Sequence, residues 1–449
     1  MQTYDYNSST RNLKKVFTFF IFYSIILLWI VGDDRMKHIY TSIDIGSDAI
    51  KIVVAELYQN KINLLASTST NSKGIKKGLI VDFDQALDSV RNALNDIESM
   101  LGLKIKKAIA SIPSFNAEYS IIKGDIKINN EESIVTHEDV LNALEVAVRS
   151  TQFNTREKVT ILPIDYTLDD QAFIKNPVGM KGTTLGCKAV LATTPKKNVY
   201  SVVTLLEKLG IEVVDISLNN IGDIYCFNNS KFEDKIGAII NIGSDITNVS
   251  LYSKSILVKS SIINMGGKNI NNDISYMYKV NDEVAEKLKL SFSLAHKKNA
   301  SVNDLIEVTN AENELIKINQ FELSEVVMSR TEEILNEAKK EINLLTSKKI
   351  DYIIITGRTS NIPGFEYVVK DVFGENANIG NVKMLGIRDN TFSSCIGNLV
   401  YFISKLKLKN QKYSMINDNE MYQITSQTAR KLNISDSMLK NLFGYFFSE

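Results

Sequence analysis

The chain has 449 residues, 44% hydrophobic and 23% charged, with 52 basic and 52 acidic side chains. Those proportions exclude a disordered chain and a single small domain. The even charge balance excludes a broad basic surface for nucleic acid. Three separated cysteines (Cys187, Cys226, Cys395) and three scattered histidines (His38, His137, His296) give neither a disulfide framework nor metal-ligand spacing, which fits a reducing compartment.

Val16 to Val31 is a nearly unbroken apolar run preceded by Arg11, Lys14 and Lys15. Sixteen helical residues reach about 24 Å, short of the roughly 20 residues a spanning helix prefers. Gly32-Asp33-Asp34-Arg35 follows instead of a small-residue cleavage site, which argues against a signal peptide. Two readings of residues 1–36 stand: an apolar anchor, or an extension upstream of a true start at Met36.

Ile39 to Ile45, Ile50 to Leu57 and Lys61 to Ser67 read as three strands joined by tight turns. Leu87, Val90, Leu94, Ile97 and Leu101 then recur along one face of a helix. Strands and helices mix through Ala189, and a Val199, Val202, Val203, Leu206 stripe ends at Gly210 before a strand at Ile211 to Ile216. At Ile236 the opening pattern returns. Ile43-Asp44-Ile45-Gly46-Ser47-Asp48 is echoed by Ile240-Asn241-Ile242-Gly243-Ser244-Asp245, each between two strands, which predicts two homologous lobes facing a shared cleft. Lys405 to Gln427 is polar and lysine-studded and reads as a linker of about 25 residues, reaching roughly 25–30 Å.

Chemistry is expected at the turns. A Gly-Ser turn between strands offers backbone N–H groups and a hydroxyl to phosphate oxygens. Asp44 stands where a carboxylate can hold hydrated Mg²⁺, and Lys51 can neutralise phosphate charge from the next strand. A third turn, Gly357-Arg358-Thr359-Ser360-Asn361-Ile362-Pro363-Gly364, follows the buried run Tyr352 to Thr356, where ligands meet strand ends in open α/β sheets.

With these three turns the chain resembles the actin/Hsp70/sugar-kinase superfamily and, within it, the FtsA family of bacterial cell-division proteins. Asp44 to Lys51 resembles the first phosphate motif, Asn241 to Asn248 the second and Gly357 to Gly364 the adenosine motif. Gly266, Gly267, Glu286 and Lys289 resemble the nucleotide-contacting segments between the last two. Gly74-Ile75-Lys76-Lys77-Gly78-Leu79-Ile80 and Asn176 to Gly182 resemble segments specific to FtsA, flanking an inserted subdomain.

The resemblance implies a two-lobed actin-like (RNase H-like) α/β fold with an inserted α+β subdomain. Its implied divisions are an extension at 1–36, a first lobe at 37–81 and 191–235, the insertion at 82–190, and a second lobe at 236–404 with a subdomain around 265–345. A linker at 405–433 and a terminal helix at 434–449 complete them. It implies a site for ATP and Mg²⁺ at Asp44, Gly46, Ser47, Asp48, Lys51, Gly243, Ser244, Asp245, Thr247, Gly266, Gly267, Glu286, Lys289, Gly357, Arg358 and Thr359, with Asp44 toward the metal. No catalytic residue is assigned. The family's second motif has Asp at the positions of Asn241 and Asn248 and glycines at Ser244 and Asp245, and its adenosine motif has a small glycine where Arg358 stands. Losing the carboxylate at 241, with Asp245 adding negative charge, points to an ATPase that is slow at most.

Met438, Leu439, Leu442, Phe443, Phe446 and Phe447 share one helical face behind the cap candidates Ser435 and Asp436, with Arg430, Lys431 and Lys440 nearby. That pattern suits a membrane interface, as the resemblance also implies. The expected partners are FtsZ (its C-terminal segment, met by the subdomain around 265–345), other copies of the chain in a filament, membrane lipids and other division proteins. An actin-like protein of type IV pilus assembly and a sugar-kinase-like enzyme are the alternatives; the latter needs a general base at the phosphate site.

Overall fold

The structure, a computed structural model, describes residues 37–151, 155–228, 230–232, 234–387, 389–417 and 420. Residues 1–36 and the terminal helix expected at 434–449 lie outside the described residues.

The first half opens as its apolar runs predict. Strands β1 (His38–Ile45), β2 (Ala49–Tyr58) and β3 (Lys61–Asn71) form an antiparallel meander, and most of β1 and β2 is buried because both faces of the sheet are covered. A small hairpin follows, β4 (Ile75–Lys76) and β5 (Leu79–Ile80). Its two turn residues, Lys77 (φ 54°) and Gly78 (φ 76°), are both left-handed, the geometry that matches strand twist in a two-residue hairpin loop.

Helix α1 (Phe83–Leu101) starts where Asp82 accepts a hydrogen bond from Gln85 N–H and stops at left-handed Gly102. Val90, Leu94, Ile97 and Leu101 are buried as expected, and Leu87 sits at the margin of the core. Strand β6 (Lys107–Ile112) returns parallel to β1, with Ala110 beside Ile43.

The chain then leaves this sheet for a second body: β7 (Glu118–Lys127), α2 (His137–Arg149), β8 (Arg156–Leu168), β9 (Gln171–Ile174) and β10 (Thr184–Pro195). The four strands run in the order β7-β10-β8-β9. With α2 they enclose a separate core that includes Ile122, Val140, Leu144, Leu185 and Leu191. Helix α3 (Lys196–Lys208) leads back to β11 (Glu212–Leu218), parallel to β6, and to α4 (Asn219–Phe227).

The second half repeats the first. Its strands are β12 (Ile236–Ile242), β13 (Thr247–Ser253) and β14 (Ile256–Ile263). Helices α5 (Gly267–Tyr278) and α6 (Asp282–Ser291) follow, then a hairpin of β15 (Leu305–Thr309) and β16 (Leu315–Asn319) and the long α7 (Gln320–Leu345). Strand β17 (Tyr352–Thr356), α8 (Phe365–Phe373), β18 (Ala377–Ile379) and α9 (Ser393–Leu408) complete the described elements. The sheet orders β11-β6-β1-β2-β3 and β18-β17-β12-β13-β14 are the same plan, a meander extended by two parallel strands. The register makes the repeat specific: Asp44 faces Lys51 across the first turn as Asn241 faces Asn248 across the second.

Three placements differ from the grouping read in the sequence. Helix α1 and strand β6 belong to the first sheet rather than to the inserted body, whose sheet begins at β7. Helix α9 packs on the first sheet, where Phe402 meets Tyr40 edge-on at 5.7 Å. The polar stretch after α9 is not free at its start. Met415 and Ile416 are buried, Met415 N–H donates to Ile39 C=O (2.9 Å), and Ile39 N–H donates to Ser414 Oγ (3.0 Å). Beyond the end of the β6 pairing, this segment satisfies backbone groups of β1 that are otherwise unpaired.

Helices α4 and α9, each following the last strand of its sheet, cross between the two halves. A Cβ on Gly397 would lie 1.6 Å from Gly222 C=O, so the crossing is as close as two backbones allow.

Candidate functional site

The two sheets face each other across a cleft, and the paired turns enter it from opposite sides. In the first, Gly46 N–H donates to Ala49 C=O (3.1 Å), and in the second Gly243 N–H donates to Ile246 C=O (3.0 Å). The cavity between them is lined by Asp44, Gly46, Ser47, Asp48, Lys51, Gly243, Ser244, Asp245, Gly267, Glu286, Lys289, Gly357, Arg358 and Thr359. Two expected residues lie behind that wall. Thr247 is buried and donates to Met265 C=O (2.8 Å), and Gly266 abuts the second turn, where a Cβ would lie 2.4 Å from Ser244 C=O. Gly267 N–H and Lys268 N–H bind the carbonyls of Gly243 and Ser244, so the start of α5 fixes that turn.

The charges are paired. Lys51 Nζ donates to Asp44 Oδ2 at 2.7 Å. Burial alone would depress the Lys51 ammonium, but the Asp44 carboxylate more than offsets it and the net shift is upward. Lys289 is buried against Glu286 and also donates to Gly267 C=O (3.2 Å); burial holds it below the ordinary lysine range despite Glu286. Burial would raise the Glu286 carboxyl, but Lys289 and Arg358 reverse that and hold it low. Arg358 Nη1 stands 3.1 Å from Asp48 Oδ2 and its Nε 3.1 Å from Glu286 Oε1, so this side chain reaches both halves.

The hairpin of β4 and β5 ties the two turns together. Ser47 Oγ accepts from Gly78 N–H (2.8 Å), and Asp245 Oδ2 accepts from Lys77 N–H (2.8 Å). Asp245 lines the cavity with its charge, as expected, and one of its carboxylate oxygens is also held by a backbone donor of the other lobe.

Asp223, Asn219 and Ser394 carry no signal in the sequence motifs. Asn219 and Ser394 line the cavity beside Asn241. Beneath them Asp223, 2% exposed, accepts from Asn241 Nδ2 (2.8 Å) and from the Ser393 and Ser394 hydroxyls (2.8 Å each). Burial raises the Asp223 carboxyl above its ordinary value against the pull of those donors. The hint in the sequence is a lone acid between Ile221 and Ile224 on a helix face that is otherwise buried. Asn248 is turned likewise, toward the Ser114 hydroxyl of the first half.

This chemistry fits a polyphosphate ligand. Two cations, Lys51 and Lys289, flank the glycine turns, and a Cβ on Gly267 would lie 2.5 Å from Thr359 Oγ1, so a side chain there would narrow the channel. Among the described residues no group of three or more His, Cys, Asp or Glu is poised to hold a metal.

Two sheets of one plan, joined by crossing helices and opening a turn each into a common cleft, define an actin-like fold. Among solved structures, the chain is similar to a protein of the PilM-PilN type IV pilus biogenesis complex, with a TM-score of 0.55 at 13% identity over 81% of this chain and 98% of that one. It is also similar to MreB5 of Spiroplasma citri bound to ADP, with a TM-score of 0.51 at 13% identity over 83% and 98%. The family model for cell division protein FtsA matches residues 238–397, and that for the SHS2 domain inserted in FtsA matches 117–193, the span of β7 to β10. The cell division protein FtsA of Enterococcus hirae is 28% identical over 364 residues, covering 81% of this chain and 82% of the relative. That of Bacillus subtilis (strain 168) is 27% identical over 381 residues, covering 84% and 86%. The chain belongs to the FtsA family of cell division proteins.

Proposed function

We propose that the cleft binds ATP with Mg²⁺, that the bound chains polymerise on the cytoplasmic membrane, and that the polymer anchors the FtsZ ring there. The observation that carries the nucleotide reading is the pair of equivalent turns, at Gly46 and Gly243, facing one cavity that also holds Lys51 and Lys289. Lys51 and the first turn would hold the phosphates, while Glu286, Lys289 and the Gly357 turn would hold the nucleoside. Asp44 would hold Mg²⁺ together with phosphate oxygens and water, because the described residues offer no protein cage for a metal. The ion would neutralise phosphate charge, which matters in a cleft lined by Asp44, Asp48, Asp245 and Glu286.

Hydrolysis should be slow. Asn241 is an amide and its donor is engaged by Asp223, so it offers no carboxylate to an attacking water. The lobe arrangement set by nucleotide, rather than turnover, would then control assembly. FtsZ is assigned to the region of α5 to α7, and lipid to the apolar face from Met438 to Phe447, on the sequence pattern of that tail. The test is sedimentation of the full chain with liposomes, with and without Mg·ATP, alongside a phosphate-release assay. The reading expects steeper liposome binding with Mg·ATP and phosphate release near background. Brisk release abolished by Asp44→Ala would overturn the slow-hydrolysis reading, and absence of ATP binding would overturn the nucleotide reading.

A further inference from the structure

The cleft is already bridged by the protein's own charges. Among the described residues, Arg358 with Asp48 is the ion pair that joins the second half of the molecule to the first across the cleft mouth, and the same guanidinium also meets Glu286. Asp48 Oδ2, which faces Arg358 Nη1, and Arg358 Nε, which faces Glu286, are both shut off from solvent, although each of the two side chains is more than a third exposed. Neither atom has hydrogen-bond alignment with its partner, so the contact is Coulombic and loosely directed. It is strong enough to bias the two walls together and weak enough to yield to a ligand.

We infer that Arg358 is a clip that closes the cleft in the nucleotide-free protein and sets how fast nucleotide enters, an inference that rests on the nucleotide reading above. The guanidinium lies in the mouth of the cavity, between Asp48 of the first turn and Glu286 of α6. Entry of a nucleoside past it breaks the Asp48 contact. Once inside, the phosphates near Lys51 and the ligand's own contacts to both lobes replace the clip. Beside the hairpin tie of Lys77 to Asp245, the mouth therefore has two alternative sources of closure, an internal ion pair or a ligand, and a ligand shifts the opening equilibrium only by its differential affinity.

The test uses the full chain with spin labels on Gln85→Cys and Lys287→Cys, exposed positions on opposite walls of the mouth, with and without Arg358→Ala. Cys187 and Cys395 are buried, and Cys226 labelling is controlled in the unsubstituted chain. Without nucleotide, the natural chain should give a narrow interlabel distance that Mg·ATP barely changes. Arg358→Ala should broaden it toward longer distances, and Mg·ATP should narrow it again. In stopped flow with a fluorescent ATP analogue, Arg358→Ala should associate about 1.5- to fivefold faster, the range expected from losing a partly exposed ion pair. An unchanged distance distribution in Arg358→Ala, or association no faster than in the natural chain, overturns the clip. Should neither protein bind the analogue, the nucleotide reading fails, and the distance measurement alone decides whether Arg358 closes the cleft. A thermal melt of Arg358→Ala within a few degrees of the natural chain establishes that the loss is of closure and not of folding.

Discussion

Asn241 and Asp223 form a donor–acceptor pair in which the order of acid and amide matters. Asn241→Asp would set two carboxylates at hydrogen-bond distance, the Asp223 one buried and the new one half-buried at the cavity wall, at a cost of roughly 1–3 kcal/mol. The exchange Asn241→Asp with Asp223→Asn restores one donor facing one acceptor, and urea denaturation should find most of the loss recovered. A double variant as unstable as the single one would refute the pairing argument. Asp223 also dictates a pH dependence. Its folded carboxyl is raised above 3.8 by burial, so the folded state binds the proton more tightly than the unfolded chain. Stability should therefore fall as pH rises from about 3.8 through the raised folded value and level off above it; Asp223→Asn should flatten that decline. At this scale the sequence disclosed what lies within one hairpin, such as Asp44 opposite Lys51. It did not disclose partners brought by separate elements: the Asp223 carboxylate under Asn241, or the Lys77 N–H on Asp245.

Among the elements, the α4 and α9 crossing carries the connection between halves. Gly397→Ala places a methyl against backbone, which cannot yield as a flexible side chain does, and should cost about 1–3 kcal/mol or more by forcing the helices apart. A melting temperature equal to that of the natural chain would show that the crossing has slack. The central strands and α1 were legible because apolar runs and a helical stripe are local signals, and the Ile43 and Ile240 echoes disclosed the repeat of β1 and β12. What escaped the sequence was membership. Helix α1 and strand β6 precede the inserted sheet in the chain, yet β6 is hydrogen-bonded to β1. Which sheet a strand joins depends on a pairing made at a distance, and neither composition nor periodicity contains it.

At the scale of the whole molecule, the proposed membrane attachment rests on the tail. Six partly buried apolar side chains would give about 6–10 kcal/mol gross, and ordering the helix removes most of it. A single chain should bind lipid weakly, and a polymer tightly through effective concentration. Phe443→Glu is expected to release the chain from liposomes while leaving nucleotide binding and the melting temperature unchanged. Full sedimentation of that variant when the chain begins at Met36 would exclude the tail as the anchor.

The docking of Met415 and Ile416 beside Ile39 changes the mechanics of such an attachment. It moors the chain to the rim of the first sheet as far as Glu420, itself paired with Lys106, so the stretch read in the sequence as a free linker from Lys405 is held at its start. Under the proposed attachment, a subunit whose tail leaves from the sheet rim would have less freedom to roll on lipid than one tethered from the end of α9. Under the proposed assembly, a polymer held this way would keep one flank down along its length, because a strand with appreciable helical twist would lift its own moorings off the surface within a fraction of a turn.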